Sequence, residues 1–234
     1  MAASGVKLVV LAAPMQTGAS PQSLAARLPP GDDAARAALA RLPEPGHELA
    51  AAFQDVAGVA PVTLGVAGRL PHIKARFVYR GASDPFGPAP RFDAAAAAPA
   101  LVEENAAGVA SVNLVTDDDG VLRRMALATH LGGGLVPGLA AETLRLAEGR
   151  KAITVTSDER NPLSLLTGTG IAALETAHGL VPAARDGSVW LHFAPVKSQR
   201  ISGLMDAGLK DAIVIVGPQG LTVRTPLGMD SIAG

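Results

Sequence analysis

Between residues 109 and 127 the chain alternates on both sides of one turn. Ala110, Val112 and Leu114 are interleaved with Ser111 and Asn113. Asp117-Asp118-Asp119-Gly120 follows, and Val121-Leu122-Arg123-Arg124-Met125-Ala126-Leu127 resumes the apolar pattern. Period-two alternation marks a half-buried strand. Asp side chains that bond their own backbone, beside a Gly that tolerates positive φ, form the turn. Two such runs about one turn predict an antiparallel hairpin, so the chain must contain a sheet.

The rest of the chain supplies more strands and the helices to cover them. Residues 6–11 and 62–66 read as strands, as do 73–79, 153–155 and 189–193. Residues 212–217 carry four consecutive β-branched residues, Ile213 to Val216. They predict a central strand buried on both faces. Ser20-Pro21 opens a helix that Pro29-Pro30 stops. Asp32-Asp33 opens another over 34–42. A third covers 48–56, with Leu49, Phe53 and Val56 on one face, and Gly58 ends it. Residues 94–98 and 101–106 read as helical around Pro99. Gly132-Gly133-Gly134 reads as a loop into a helix over 139–146. Residues 158–162 and Asp186-Gly187 are turns, and 202–207 a short helix. Residues 171–176 fit a strand or a helix. Together these predict an α/β fold: a mixed, largely central sheet covered by helices, with the 109–127 hairpin.

Composition narrows the function. Apolar residues make up 48% and charged residues 18%, which excludes a fully disordered chain. Aromatic residues are 3%, so the core must be aliphatic. Twenty basic against 21 acidic residues leave a net charge of -1. No basic stripe is present, so no nucleic-acid partner is expected. The absence of Cys excludes thiolate ligation and disulfides. No run of about 18 residues is apolar and free of charge. Lys7 interrupts the first apolar run and no basic region precedes it, so no signal peptide is expected.

None of the chemical motifs completes itself. Asp117-Asp118-Asp119 offers carboxylates to a hard cation, but the calcium-loop spacing demands Glu where Ala128 stands. A solvated turn fits better. Gly132-Gly133-Gly134 lacks the Lys-Ser or Lys-Thr of a phosphate loop and the spacing of a dinucleotide fingerprint. Gly217-Pro218-Gln219-Gly220 after a strand is too short for that fingerprint. His47, His72, His130, His178 and His192 form no i, i+4 pair. Thr169-Gly170 and Ser202-Gly203 form no nucleophile elbow. No catalytic, cofactor-binding or metal-binding residue is assigned, no cofactor is expected, and a ligand-binding site is unknown.

The segment Gly108-Val109-Ala110-Ser111-Val112-Asn113 through Asp117-Asp118-Asp119-Gly120-Val121-Leu122-Arg123-Arg124 resembles the central motif of a sensor family. This is the second class of the cyclase/histidine-kinase-associated sensory extracellular domains, the CHASE domains. Pro137-Gly138-Leu139-Ala140, Val181-Pro182 through His192-Phe193, Leu209-Lys210-Asp211-Ala212-Ile213-Val214-Ile215-Val216-Gly217 and Thr225-Pro226 are similar to its other blocks. The chain departs from the pattern at Ser111, where the family has an aromatic residue. Asp211 stands where it has glycine, and Ala212 where it has lysine. Residues 195–210 form a shorter stretch, and Thr222-Val223-Arg224 replaces the usual aspartate before the Thr-Pro.

The resemblance spans nearly all of residues 1–234 and implies a single sensory domain lacking the family's first strand and helix. It implies a non-catalytic extracytoplasmic, periplasmic or extracellular, input domain of a membrane receptor. Transmembrane helices and a cytoplasmic output domain, a histidine kinase or an adenylate or guanylate cyclase, would complete the parent. A small ligand and a homodimer are compatible partners. The alternatives are a soluble α/β enzyme of hydrolase type and a protein-interaction or dimerisation domain. The family fold requires residues 6–11 and 212–216 to share one helix-covered sheet.

Overall fold

The structure, a computed structural model, describes residues 5–15, 19–159, 169–194, 209–217 and 221–232. Strand β1 (Leu8–Leu11) buries Leu8, Val9 and Val10 in succession, so both its faces are covered. Ser20 caps α1 (Pro21–Ala26), its Oγ accepting from Ser23 N–H at 3.0 Å. Helix α2 (Asp33–Leu39) buries no residue. Helix α3 (His47–Asp55) buries Phe53, and Val56 just past its end, on the expected face. Strand β2 (Gly58–Leu64) then starts earlier than its apolar run suggests. An added Cβ on Gly58 would lie 2.2 Å from Phe53 Cε1, so Gly58 is where the ring lies on the strand.

Strands β3 (Arg76–Arg80), β4 (Arg91–Phe92) and β5 (Ala95–Ala97) follow, then α4 (Ala100–Asn105), β6 (Gly108–Ser111), β7 (Arg124–Ala126), β8 (Ala128–Leu131) and β9 (Gly134–Pro137). Helix α5 (Leu139–Ala147) precedes β10 (Ala152–Ser157), β11 (Ile171–Thr176), β12 (Gly179–Pro182) and β13 (Ser188–Trp190). Strands β14 (Ile213–Val216), β15 (Leu221–Thr225) and β16 (Gly228–Ile232) complete the order. The mixed α/β class is therefore as expected.

The main sheet runs β14-β1-β2-β6, all parallel, with β5 antiparallel to the end of β2. Leu8 pairs with Ile213 and Leu11 with Val216, so residues 6–11 and 212–216 do share a sheet. Alternate residues divide its two faces. Val9, Ala60, Val62, Val109 and Val214 join Phe53 and Val102 of α3 and α4 in one core. Leu8, Val10, Val59 and Ala110 meet Leu139 and Leu146 of α5 in another. A second sheet, β12-β11-β10-β3, contributes Ile153, Val155, Ile171 and Leu174 to a core that includes Ala141 of α5. Helix α5 thus lies between two sheets. On it, Arg145 makes two 2.7 Å bonds to the Glu142 carboxylate, which is fully buried.

Several expectations are corrected. The 109–127 hairpin is absent: the turn forms, but its flanking strands do not pair with each other. Strand β6 is taken by β2, and β7 pairs antiparallel with β13. The alanine run at 95–97 is a strand, because Ala95 and Ala97 fill space beside Val62 and Leu64 that larger side chains would overfill. Tertiary packing overrides alanine's helix propensity there. Strand β14 is paired on one side only among the described residues, and Ile213 and Ile215 are exposed. Its β-branched run reported propensity, whereas the doubly covered position belongs to β1. Gly132-Gly133 is the turn of the β8–β9 hairpin, whose register pairs Leu131 with Gly134. Residues 171–176 are a strand. The helix expected at 202–207, Ser202-Gly203, Pro218 to Gly220 and the end of the 158–162 turn lie outside the described residues.

Candidate site at the aspartate turn

The aspartate turn is closed by its own backbone. Gly120 N–H donates to the Asp117 carbonyl at 2.8 Å, and Asp117 N–H to the Val121 carbonyl at 3.0 Å. Asp119 Oδ1 accepts from Val121 N–H at 3.1 Å, and Gly120 takes the positive φ of 76° that the turn requires. This geometry throws the carboxylates of Asp117 and Asp119 back over the segment that follows.

Those carboxylates receive two guanidinium groups. Arg123 Nη1 donates to Asp117 Oδ2 at 2.9 Å and to Asp119 Oδ1 at 2.9 Å, and its Nη2 to Asp119 Oδ2 at 2.8 Å. Arg124 Nη2 donates to Asp117 Oδ1 at 2.6 Å. Asp117 therefore holds two successive arginines, one on each oxygen. The bonds from Arg123 hold the Asp119 carboxyl down at about 2, and those from Arg124 and then Arg123 lower that of Asp117. The bond from Asp117 raises the Arg124 guanidinium in turn.

Strand β13 and the turn before it complete the site from far along the chain. Arg124 Nη1 lies 3.7 Å from Asp186 Oδ2, and its Cζ sits 5.4 Å from the centre of the Trp190 ring. Asp186 Oδ1 accepts from Ser188 N–H at 2.9 Å and from Ser188 Oγ at 2.6 Å. Between the turn and β13 opens a cleft of 260 Å³, lined by Thr116, Asp117, Asp118, Arg124, Asp186 and Ser188 among others. One cation bridges two carboxylates in its wall. Its chemistry is that of a polar binding pocket, since the wall offers acceptors, two hydroxyls and a guanidinium.

The turn forms where the sequence predicts it, and of its three aspartates only Asp118 fits the solvated turn expected of all three. Asp118 is exposed, while Asp117 and Asp119 are spent on arginine. Asp186-Gly187 is a turn as the sequence predicts, and nothing local signals that Asp186 and Trp190 approach Arg124. The available signal was the spacing of Asp117, Asp119 and the adjacent arginines, which sets both cations within reach of one carboxylate.

A larger hollow of 430 Å³ lies beside Pro45, Arg69, Pro99 and Leu101. There Arg69 is committed to the buried Glu103, through bonds of 3.1 and 2.9 Å. Among the described residues no group of His, Cys, Asp and Glu is arranged to hold a metal ion, and no helix is long and apolar enough to cross a membrane.

The family model of the CHASE2 domain matches residues 2–234. No curated protein and no solved structure matches the chain.

Proposed function

The chain belongs to the CHASE2 domain family, and we propose that its sensing site is the cleft walled by Asp117, Arg124, Asp186 and Ser188. Domains of this family are non-catalytic, extracytoplasmic sensory modules of signalling proteins. They occur in membrane receptors with transmembrane helices and output domains. The family assignment displaces the hydrolase reading. We read residues 1–234 as one sensory domain whose parent carries a histidine kinase or nucleotide cyclase as its output.

The observation that supports the cleft is the position of Arg124. It is shared between Asp117 on its own segment, Asp186 in the turn before β13 and the face of Trp190 on β13. A small polar ligand that offers its own charge or hydrogen bonds to these groups changes how Arg124 is shared, and a sensor requires a ligand that favours one arrangement over another. A thermal-shift screen of amino acids, polyamines and sugars tests the reading. A binder should raise the melting temperature of the wild type and lose that effect in Arg124→Ala and Asp186→Ala. A binder whose shift survives both substitutions places the site elsewhere.

Self-association is a second reading, supported by Ile213 and Ile215 exposed on a strand paired on one side among the described residues. Sedimentation of the wild type and Ile215→Lys tests it. A dimer unaffected by the lysine excludes this edge.

A further inference from the structure

We infer that the segment 117–124 is a junction through which occupation of the cleft is coupled to the C-terminal hairpin β15–β16. The inference rests on the cleft reading above and adds the route by which that site acts.

The segment is bonded in three directions. Towards the cleft, Asp117 holds Arg123 and Arg124 together. Towards β13, the Arg123 carbonyl accepts from Leu191 N–H at 2.8 Å, and Arg124 pairs with Trp190 in the β7–β13 ladder. Towards the hairpin, Leu122 N–H donates to the Arg224 carbonyl at 2.7 Å, and Val121 forms a parallel bridge with Arg224. The residues that touch the hairpin are adjacent in sequence to those that touch the cleft. Val121 and Leu122 are buried, whereas Arg123 and Arg124 are half-buried.

The turn makes this segment a unit rather than a string. The Asp117 amide is bonded to the Val121 carbonyl, and the Val121 amide to Asp119. A shift of the Asp117 backbone is therefore passed to the Val121–Leu122 backbone, and a shift of its carboxylate reaches the same segment through Arg123 and Arg124. Strand β15 is the element that meets this backbone. It pairs with β16 along its full length, from Leu221–Ile232 to Thr225–Gly228, so a displacement at Arg224 is carried by the whole hairpin. Thr225 Oγ1 donates to the Gly228 carbonyl at 3.2 Å and accepts from Leu227 N–H at 3.3 Å, bracing its turn.

Coupling of this kind is reciprocal and is measurable without any ligand. Hydrogen exchange of the full chain is compared for the wild type, Asp117→Ala, Arg124→Gln and Thr225→Ala. Arg80→Ala, which removes the Arg80–Glu175 pair of the second sheet, is the control. Asp117→Ala and Arg124→Gln should accelerate exchange at residues 221–232 by about fivefold or more, with residues 128–137 unchanged. Thr225→Ala should accelerate exchange at residues 121–124 in return, and Arg80→Ala should do neither. Changes confined to the mutated segment overturn the inference. So does an equal effect of Arg80→Ala on the hairpin. If Asp117→Ala unfolds the domain and speeds exchange everywhere, Arg124→Gln and Thr225→Ala still decide. Since no ligand is added, failure here leaves the thermal-shift result standing, and a failed screen leaves this result standing.

Discussion

Asn113 presents both ends of its side-chain amide to the backbone of Leu64. Leu64 N–H donates to Asn113 Oδ1 at 2.7 Å, and Asn113 Nδ2 donates to the Leu64 carbonyl at 2.9 Å. The last backbone bond of the β6–β2 ladder is Val112 N–H to the Val62 carbonyl at 3.0 Å. Asn113 thus stands in for a peptide group and carries the ladder one step further as the chain turns away towards Asp117. This explains the place of an Asn in a motif that otherwise looks like strand and turn.

Removal of that amide should leave both backbone groups of the buried Leu64 without these partners. Asn113→Ala is expected to cost about 1–3 kcal/mol, the penalty of unsatisfied buried groups. Asn113→Asp should also destabilise, because a carboxylate has no donor for the Leu64 carbonyl. Urea unfolding midpoints measure both, and faster exchange of the Leu64 amide localises the effect. Wild-type stability in both variants would show the contact to be ornamental.

The buried ion pair of α5 gives a second expectation. Glu142 accepts Arg145 through both oxygens and lies against Gly108 at the start of β6, while Arg145 Nη1 donates to the Arg150 carbonyl at 2.9 Å. The pair ties the helix to the start of β6 and the approach to β10. Glu142→Leu leaves a buried guanidinium unpaired and should cost about 3–5 kcal/mol. Glu142→Leu with Arg145→Met should recover much of that loss, since an apolar pair leaves no stranded charge. Gly108→Ala should destabilise too, as its Cβ would lie 2.2 Å from Glu142 Oε1. A double-mutant cycle in denaturant measures the coupling, and additive losses would refute it.

Acid should act at the aspartate turn first. The folded-state value of Asp119 is about 2, below its ordinary 3.8, and Asp117 is lowered in the same direction. A depressed carboxylate contributes stability that is present above its unfolded value and lost as pH falls through the folded one. The turn's contribution should therefore fade between about pH 4 and pH 2. Burial raises Glu142, which has the opposite sign: its contribution to stability decreases as pH rises through its folded value. Unfolding midpoints from pH 6 to pH 2 for the wild type and Asp119→Asn separate the two. The substitution should flatten the acid limb, and identical profiles would remove Asp119 from the account.

What could be read from the residues was local. Ser20 and Pro21 announce their helix by capping chemistry, and Phe53 announces its buried face by spacing. The aspartate turn is legible because its bonds close within a few residues. What could not be read was which strand each edge would meet. Ala95 and Ala97 look helical until β2 is beside them, and β14 looks central until β1 takes that position. The pairing of β7 with β13 and the approach of Asp186 and Trp190 to Arg124 depend on contacts between distant parts of the chain. No local periodicity encodes those, so the turn was visible and the cleft beside it was not.

Asp211 offers a test of how the chain tolerates its departure from the family pattern. It is the one described non-glycine residue with positive φ, at 59°, and it stands where the family has glycine. The conformation is held in place: Asp211 N–H donates to the Gly5 carbonyl at 2.8 Å, and Ala212 N–H to the Leu209 carbonyl at 3.1 Å, just before β14 begins. A side chain in this region costs about 1–2 kcal/mol, less for aspartate, whose short polar group tolerates it. Glycine removes that strain but adds freedom to the unfolded chain, which offsets about 0.4–1 kcal/mol. Asp211→Gly should therefore be neutral to about 1 kcal/mol stabilising. Asp211→Ala keeps the strain without aspartate's tolerance and should fall about 1 kcal/mol below the glycine variant. The order glycine, aspartate, alanine in urea midpoints at constant slope supports a strained turn feeding β14. Alanine equal to glycine would mean that the backbone relaxes out of the left-handed region at no cost.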